Sequence, residues 1–385
     1  MLMANEEKTP KNAAPRPFAH FMLREIYEQP EAIRKTIEHN VASDIIFGSA
    51  LQPIENALFT FKKIIIAASG SSRNAGLAGE IMMEDLAGVA VDVEYSSEYC
   101  YRSTHAGTDP IVMVITQSGE TGDTIAAQRE ALNRGAKTVA ISNVADATIT
   151  REASAALETM AGAEKAVPAT KSFTTQLTLL YLFALFIARK RGRMTSEVTR
   201  AHLNALDNVP ANIEAALPAW DAQAAECAHN FQRARGFLFL GRGVHYAIAR
   251  EGALKLKEIS YVQAEGMPAG ELRHGPNALV DEKLPIFVIS TRDPADPDST
   301  LRYQKTLAIL EYIKEHGGKA IAIATEDDRE ISALADKVIF IPAAPELLLP
   351  ILEVVPLQLF AYHFAVLNGC DVDHPRNLVK AVVTE

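Results

Sequence analysis

Two short segments rich in small hydroxyl residues could bind a phosphate group. Ser69–Ser72 (SGSS) follows the apolar run Lys63–Ala68, and Thr116–Thr121 (TQSGET) follows the apolar run that begins at Ile111. Each segment leads into a helical pattern, so backbone N–H groups, hydroxyl donors and a helix N-terminus could face one anion. Helix capping alone would explain one such turn. Two turns at adjacent strand ends favour phosphate binding.

The second half of the chain carries groups that can move protons. Lys255 and Glu258 lie three residues apart in one helical pattern, a spacing that most often gives a surface ion pair. The segment 264–276 (AEGMPAGELRHGP) is predicted to be a loop, and its His274 can change charge near neutral pH. A lone loop histidine is usually only solvated. Near the C-terminus an apolar alternation could dock the chain end and bring Lys380 into a site.

The chain lacks the complete sequence motifs of common cofactor and metal sites. No GxxxxGK[ST] segment occurs, and the GxGxxG pattern that starts at Gly241 fails because Tyr246 stands at its third glycine. The ten histidines show neither HxH nor HExxH spacing. We therefore predict a reaction that uses no cofactor and no metal ion.

Strands that alternate with helices must position these residues. The first half contains the candidate strands Lys63–Ala68, Ile111–Thr116, Lys137–Ser142 and, more weakly, Ala156–Met160. The second half contains Phe237–Leu240, Pro285–Ser290, Lys319–Thr325 and Val338–Pro342. Continuous apolar strands separated by helical patterns predict parallel sheets covered on both faces. Ligands of such sheets bind beyond the carboxyl ends of the strands.

The two halves repeat one layout, which predicts an internal duplication. Helical segments around Ser196–Ala215 and Trp220–Arg233 connect the halves, and Phe21–His39 is predicted to be a helix. We predict an α/β protein of two tandem domains, each a parallel sheet flanked by helices in a flavodoxin-like, doubly wound arrangement. The predicted limits are 1–17 for a flexible tail, 18–215 and 216–370 for the domains, and 371–385 for a C-terminal tail that contributes to the active site.

Composition restricts the classes of protein to which the chain can belong. Its 385 residues, 48% hydrophobic and 22% charged, suit two globular domains. The net charge of −10 argues against a nucleic-acid partner. Three separated cysteines, Cys100, Cys227 and Cys370, predict buried thiols in the reducing cytoplasm. Leu177–Ala188 is too short to span a membrane and Glu346–Asn368 is interrupted by prolines and polar residues, so we predict no membrane segment.

Seven segments together resemble the double sugar-isomerase (SIS) domain family, in the form of the isomerase half of glucosamine-6-phosphate synthases. They are HFMLREIYEQPEAI, SGSSRNAG, TQSGETGDT, ATKSFTTQL, EGALKLKEISY, GELRHGP and DVDHPRNLVK, in family order from about residue 18 to the end. The resemblance implies two SIS domains, a hexose or hexosamine 6-phosphate ligand, and a homodimer with shared active sites.

The resemblance also implies roles for individual residues. Glu258 corresponds to the residue that moves a proton between C1 and C2, and Lys255 to the lysine one helical turn before it. His274 corresponds to the ring-opening histidine, which in the family reaches into the neighbouring subunit's site. Lys380 corresponds to the tail lysine that can form an imine with the open-chain sugar. Positions that match phosphate contacts are Ser71, Ser72, Thr116, Gln117, Ser118 and Thr121. Further substrate-binding positions are Val167, Ala169 and Thr170.

Two departures from the family pattern bear on the reaction. The synthases carry a glutaminase domain with an N-terminal nucleophilic cysteine, whereas this chain starts Met-Leu-Met and has no cysteine before Cys100. We therefore expect no glutamine hydrolysis. Ala169, preceded by Pro168, stands where the pattern has a serine, which would remove one phosphate or sugar contact.

These observations predict an enzyme that isomerises and deaminates a hexosamine 6-phosphate, converting glucosamine 6-phosphate to fructose 6-phosphate and ammonia. A carboxylate that moves a proton beside a carbonyl or imine, and an amine that forms a Schiff base, would supply the chemistry. The alternatives are a fructosamine-6-phosphate deglycase, an enzyme for galactosamine or tagatose derivatives, and an ammonia-dependent synthase. A sugar-phosphate sensor is the non-enzymatic alternative.

Overall fold

The computed structural model describes residues 18–102 and 110–382, and every structural statement below refers to these residues. The predicted flexible tail 1–17 lies outside them, as do the last three residues of the predicted C-terminal tail. The strands are β1 Val41–Ala42, β2 Ile45–Ile46, β3 Lys63–Ala68, β4 Ala90–Tyr95, β5 Ile111–Ile115, β6 Lys137–Ser142, β7 Ala155–Glu158, β8 Gly236–Gly241, β9 Gln263–Pro268, β10 Ile286–Ser290, β11 Ala320–Thr325 and β12 Lys337–Ile341. The α-helices are α1 Phe21–Tyr27, α2 Gln29–Asn40, α3 Glu55–Thr60, α4 Gly70–Ala87, α5 Ser96–Tyr99, α6 Gly122–Asn133, α7 Thr148–Glu152, α8 Lys171–Lys190, α9 Ser196–Asn230, α10 His245–Ser260, α11 Pro297–Glu315, α12 Arg329–Leu334 and α13 Leu349–Leu367.

Two five-stranded sheets share one topology. The first has the order β4-β3-β5-β6-β7 and the second the order β9-β8-β10-β11-β12, and the strand pairs in both are parallel. Counted along the chain within each sheet, both orders are second, first, third, fourth and fifth strand. This is the flavodoxin-like, doubly wound order. The predicted fold class is confirmed, and the duplication extends to the topology of the sheets.

The central strands are apolar along their whole length because helices cover both faces of each sheet. β5 (IVMVI) and β10 (IFVIS) are buried at every position. Such strands have no exposed face that would impose a polar alternation. They are therefore the elements that the sequence predicted most closely.

Two strands of the five-stranded sheets were missed, β4 and β9, and both lie at sheet edges; the short pair β1 and β2 was also not predicted. β4 and β9 pair with one neighbour each, their buried and exposed residues are interspersed, and both contain polar residues such as Asp92, Gln263 and Glu265. A half-exposed strand lacks the continuous apolar run on which the prediction rested. The loop predicted at 264–276 is wrong in its first part, since it begins within β9 and continues as the 3₁₀ helix Ala269–Arg273.

The predicted helix boundaries also require correction. α9 continues through Pro210 and Pro218, so the two connecting segments form one helix of 35 residues. The predicted domain boundary between residues 215 and 216 falls inside this helix. At the N-terminus, the helix predicted for Phe21–His39 is divided at Glu28 into α1 and α2.

Two long apolar helices lie inside the fold. The helix Lys171–Lys190 has 20 residues and a mean hydropathy of 1.3, and the segment Glu346–Leu367 has 22 residues and a mean hydropathy of 1.6. Both are long and apolar enough to cross a membrane, so the argument that the first run is too short was wrong. Their most apolar stretches are 94% and 89% buried. α8 packs against α4, and α13 packs between α9 and α10, as core helices do.

The cysteines differ in their exposure. Cys227 is buried in the core, as predicted, whereas Cys100 and Cys370 are only partly buried. The expectation of three buried thiols was therefore wrong for two of them. The cytoplasmic location inferred from the cysteines stays a prediction.

We expect Gly266→Ala to destabilise the packing of β9 against α10. A Cβ atom at Gly266 would lie 2.4 Å from the Cα atom of Arg250, so the strand and the helix would have to move apart. Thermal unfolding should reveal a loss of about 1–3 kcal/mol, as is usual for overpacking. Gly270→Ala is the matched control, because its Cβ would come no closer than 3.5 Å to the Arg242 side chain. Equal stability of the two variants would contradict this account.

Candidate active site

Both hydroxyl-rich turns lie at the carboxyl edge of the first sheet. Ser69–Ser72 connects β3 to α4, and Thr116–Thr121 connects β5 to α6. β3 and β5 are neighbours in the sheet. The strand that follows β3 in the chain, β4, lies on one side of this pair, and the strand that follows β5, β6, lies on the other side. A sheet opens a crevice at such a switch point. Here the crevice is a cavity of about 180 Å³.

The hydroxyl groups of the two turns do not serve as helix caps. Ser69 and Thr121 occupy the N-cap positions of α4 and α6, yet neither side chain accepts a capping hydrogen bond within the described residues. Thr121 instead shares a 2.8 Å hydrogen bond with the hydroxyl of Thr116, and Ser72 Oγ accepts one of 3.0 Å from Gln176 Nε2. Capping therefore does not account for these hydroxyls, which favours the phosphate interpretation.

The cavity brings together residues from widely separated parts of the chain. Lys255 and Glu258 reach it from α10, and Leu378–Lys380 reach it from the C-terminal tail. The predicted site residues that line it are Ser71, Ser72, Thr116, Gln117, Ser118, Thr121, Val167, Ala169, Lys255, Glu258 and Lys380.

Two predicted site residues do not line this cavity. Thr170 is buried at the N-cap of α8, and its N–H group donates to Glu164 Oε1 at 3.0 Å. His274 is exposed at the end of the 3₁₀ helix Ala269–Arg273. Within this one chain, His274 is therefore not brought to the other candidate residues.

Lys255 is a buried cation rather than part of a surface ion pair. Its side chain is 1% exposed, and Nζ lies 2.6 Å from Glu258 Oε2 and 3.5 Å from Glu251 Oε1. Burial alone would lower the pKa of Lys255, but the two carboxylates outweigh it and raise that pKa. Burial raises the pKa of Glu251, which accepts a 2.9 Å hydrogen bond from Asn74 Nδ2. Lys255 thus remains charged next to the carboxylate that faces the cavity.

Lys380 is held by a buried carboxylate. Its Nζ donates to Glu164 Oε2 at 2.6 Å and to the carbonyl oxygen of Ala166 at 2.8 Å. Glu164 also accepts hydrogen bonds from the N–H groups of Thr170 and Ser172, at 3.0 and 3.1 Å. Burial would raise the pKa of Glu164, but Lys380 and these donors lower it overall. The ion pair keeps the amine of Lys380 at the cavity wall.

Backbone contacts dock the C-terminal tail beside the cavity. Gly122 N, at the start of α6, donates to the carbonyl oxygen of Val382 at 3.0 Å. The carboxylate of Asp373 accepts hydrogen bonds from the N–H groups of Phe21 and Met22, at 2.9 and 2.8 Å, at the start of α1. A carboxylate at a helix N-terminus is a favourable arrangement. The tail is thereby fixed at both its beginning and its end.

Glu25 supports the segment that holds Lys380. It is fully buried in α1 and accepts hydrogen bonds from the N–H groups of Lys165 and Ala166, at 2.6 and 3.3 Å. Burial raises the pKa of Glu25 to about 7, and the neighbouring Glu164 adds to this effect. This carboxyl group therefore titrates near neutral pH.

The polar residues of the site that were not predicted include Thr124, which lines the cavity, and Glu251, Glu164 and Asn74. Glu251 had a local signal, because it lies one helical turn before Lys255 in the segment EGALKLKE. Glu164 and Asn74 had no such local signal, because their hydrogen-bond partners, Lys380 and Glu251, are 216 and 177 residues away in the chain. Within the described residues, no group of three or more His, Cys, Asp or Glu side chains could hold a metal ion. That the reaction needs no cofactor stays a prediction.

The family of the chain follows from comparison with known proteins. The SIS domain model matches residues 57–186 and 230–368. The chain belongs to the SIS-domain family, whose enzymes are of the sugar-phosphate isomerase type.

Comparison of sequences shows which members of that family the chain is similar to. It is 44% identical over 370 residues to the glutamine–fructose-6-phosphate aminotransferase (isomerizing) of Chlorobaculum tepidum, and 44% identical over 370 residues to that of Methanosarcina acetivorans. These matches cover 96% of the chain but 59% of each relative, so the chain spans little more than half of their length.

Solved structures match the fold over nearly the whole chain. The C-terminal domain of glucosamine-fructose-6-phosphate aminotransferase from Francisella tularensis matches with a TM-score of 0.87 and 36% identity, over 94% of this chain and 100% of that domain. Glucosamine-6-phosphate deaminase from Thermotoga maritima matches with a TM-score of 0.69 and 20% identity, over 94% of this chain and 99% of that chain, a likeness of fold alone. The chain is thus related to the isomerase domain of the aminotransferases.

We expect Glu25→Gln to change how stability depends on pH. The raised pKa of Glu25 means that the folded chain holds a proton that the unfolded chain releases above a pKa of 4.5. Wild-type stability should therefore fall as the pH rises from about 4.5 to about 7. The Glu25→Gln variant should lack this pH-dependent part of the free energy of unfolding, which is about 1–3 kcal/mol.

Thermal unfolding between pH 5 and pH 8, values that bracket the titration of Glu25, would measure the difference. Glu38→Gln, an exposed substitution in α2, is the control. Parallel pH profiles for the wild type and Glu25→Gln would contradict the prediction.

Proposed function

We propose that the chain converts a hexosamine 6-phosphate, glucosamine 6-phosphate in the first instance, and water to fructose 6-phosphate and ammonia. The observation that carries the proposal is the single cavity that combines hydroxyl-lined turns, the Lys255–Glu258 pair and Lys380. An anion-binding end and a proton-transfer end in one crevice suit a sugar phosphate. The aminotransferase relatives, whose name includes fructose 6-phosphate and isomerisation, support this substrate class.

The phosphate group binds at the two turns of the first sheet. Hydroxyl groups of Ser72, Thr116, Ser118 and Thr121 surround this end of the cavity, which opens onto the starts of α4 and α6. Helix starts and hydroxyl donors bind a dianion irrespective of the net charge of the chain. Ala169 lines the cavity with a methyl group in place of the family's hydroxyl, so it leaves more room and one donor fewer there.

Glu258 moves the proton between C1 and C2 of the open-chain sugar. Its side chain is 23% exposed at the cavity, and Lys255 holds one of its carboxylate oxygens. A positioned carboxylate of this kind is a general base and then a general acid. When the proton moves from C2 to C1, the amine at C2 becomes an imine. The ammonium group of Lys255 lies close enough to stabilise charge on the sugar.

Lys380 takes the place of ammonia at C2. Its proton passes from Nζ to Glu164 Oε2, 2.6 Å away, a transfer that runs against the lowered pKa of Glu164 and so yields only a small population of neutral amine, which attacks the C2 imine. Ammonia leaves as a C2–Nζ imine forms, and water hydrolyses this imine to the ketone and regenerates Lys380. The sum consumes one water and releases one ammonia.

A second copy of the chain supplies the histidine that opens the sugar ring. Within the described residues, no histidine lines the cavity, whereas His274 lies exposed on a short helical turn. An imidazole ring can both donate and accept a proton, which suits the proton shuttle of ring opening. We therefore propose a homodimer in which His274 serves the partner's cavity, as the resemblance implies.

The reverse direction is the second candidate function. Because every step above is reversible, the same residues would form glucosamine 6-phosphate from fructose 6-phosphate and ammonia. The relationship to aminotransferases at 44% identity favours this direction as much as deamination. The two candidates share one site and one set of intermediates.

Ammonia release from a panel of amino-sugar 6-phosphates tests the proposed function. The wild type should release ammonia and form a ketose phosphate with at least one member of the panel. Glu258→Gln should lower turnover by at least about 100-fold, the usual contribution of a general acid–base residue. Binding of the sugar phosphate should persist.

Glu282→Gln, an exposed substitution, is the matched control. Unchanged turnover in Glu258→Gln would remove Glu258 from the mechanism. Tight sugar-phosphate binding without turnover in either direction would instead support the sensor alternative.

Glu164→Gln tests the proposed proton acceptor of Lys380. A carboxamide cannot take the proton, so we expect turnover to fall by at least about tenfold and to recover partly as the pH rises. Sugar-phosphate binding should change little, because Glu164 does not line the cavity. Glu158→Gln, at the end of the nearby strand β7, is the control. A turnover loss that is the same at every pH would contradict proton transfer and leave only a structural effect.

A further inference from the structure

A second cleft, with a volume of about 340 Å³, lies between the two domains. The first domain contributes Gly70, Arg73 and Asn74 of α4, whereas Ser71 and Ser72 of the same turn face the sugar-phosphate cavity. The second domain contributes Arg250 and Lys257 of α10 and Glu265 of β9. The first turn of α4 thus lies between the sugar-phosphate cavity and this second cleft.

Only weak acidic compensation reaches the cations of this cleft, because Glu80 acts on Arg73 without forming an ion pair among the described residues. Within the described residues, no ion pair joins Arg73, Arg250 or Lys257 to a carboxylate, and Glu265 at the rim pairs with none of them. The Nε–H group of Arg73 is buried and donates no hydrogen bond there. Burial lowers the pKa of Arg73 and the proximity of Arg250 lowers it further, effects that Tyr95 and Glu80 only partly offset. Unpaired and partly buried like charges are costly, and an anion between them would relieve this cost.

Tyr95 holds both guanidinium groups in fixed positions. The Cζ atom of Arg73 lies 3.8 Å from the centre of the Tyr95 ring, and Arg250 Nη2 donates to the Tyr95 hydroxyl at 3.2 Å. Arg250 Nη1 also donates to the hydroxyl of Tyr246 at 3.0 Å. Burial alone would lower the pKa of Arg250, and the two tyrosines raise it, but these contacts supply no carboxylate. They also restrict the motion of both guanidinium groups. Such restriction reduces the entropy lost when a ligand binds.

We propose that this cleft binds a small phosphorylated molecule through Arg73, Arg250 and Lys257, at a site separate from the sugar-phosphate cavity. Guanidinium groups suit phosphate oxygens because their donors form a planar fork. Three cations around one space suit an anion with more than one negative charge.

The proposed site has a direct connection to the proton-transfer residues. Arg250 Nε donates to Asn74 Oδ1 at 3.4 Å, and Asn74 Nδ2 donates to Glu251 Oε2 at 2.9 Å. Glu251 in turn lies 3.5 Å from Lys255. A ligand that draws Arg250 towards the cleft would therefore act on the residues around Lys255.

Calorimetric titration with inorganic pyrophosphate tests the proposal. The wild type should show two classes of site, one in the cavity and one in the cleft. Arg73→Gln combined with Arg250→Gln should weaken one class by at least about tenfold, which corresponds to about 1.4 kcal/mol. Thr116→Val combined with Thr121→Val should weaken the other class and spare the cleft. Lys62→Gln combined with Lys305→Gln, two exposed positions, is the charge-matched control.

The outcomes separate this proposal from the proposed function. If the cavity binds no phosphate, one class remains in the wild type, and the arginine substitutions abolish it. Retention of every class in the folded arginine variant, as judged by circular dichroism, would overturn the proposal. The proposal would also be overturned if the wild type bound no pyrophosphate in the cleft and the arginine variant no longer formed a dimer. The cations would then pair with a second copy of the chain.

Discussion

The charge of Lys255, buried in α10, is the constraint on which the arrangement of the site depends. An ammonium group without water is stable only next to compensating negative charge. Glu258 and Glu251 supply it, and Glu251 is oriented by Asn74 from the other domain. Both carboxylates lie on α10 with Lys255, whereas the hydrogen bond from Asn74 to Glu251 requires α4 to lie beside α10. The contact between the domains therefore supports one of the two carboxylates that compensate the buried charge of Lys255.

The second domain repeats the topology of the first but fills the equivalent crevice with its own side chains. At the switch point between β8 and β10, Glu346 accepts hydrogen bonds from Arg302 Nε at 2.8 Å and from the hydroxyl of Ser299, and it pairs with His245 at 3.0 Å. Burial would raise the pKa of Glu346, but His245 and Arg302 lower it to about 2. An internal carboxylate thus occupies the position at which the first domain has an open cavity. A phosphate would have to displace a buried ion pair there.

Local patterns predicted the parts of the site that lie close together in the sequence. The turns Ser69–Ser72 and Thr116–Thr121 follow continuous apolar strands, so their place at the sheet edge was evident without a structure. The edge strands β4 and β9 were missed because their half-exposed faces carry polar residues. The partnership of Glu164 with Lys380 was not predictable, because only the folded tail brings the two together.

The site is completed only when both ends of the described chain are in place. Asp373 ties the beginning of the tail to the start of α1, and Glu25 of the same helix holds the segment that carries Glu164. A local opening of α1 would therefore release the support of Lys380, although the phosphate-binding turns would remain intact. Binding of the phosphate and chemistry at the sugar carbon depend on different elements, so the first could persist where the second is lost. This separation follows from the fold, because the rigid sheet forms one end of the cavity, whereas α10 and the C-terminal tail form the other.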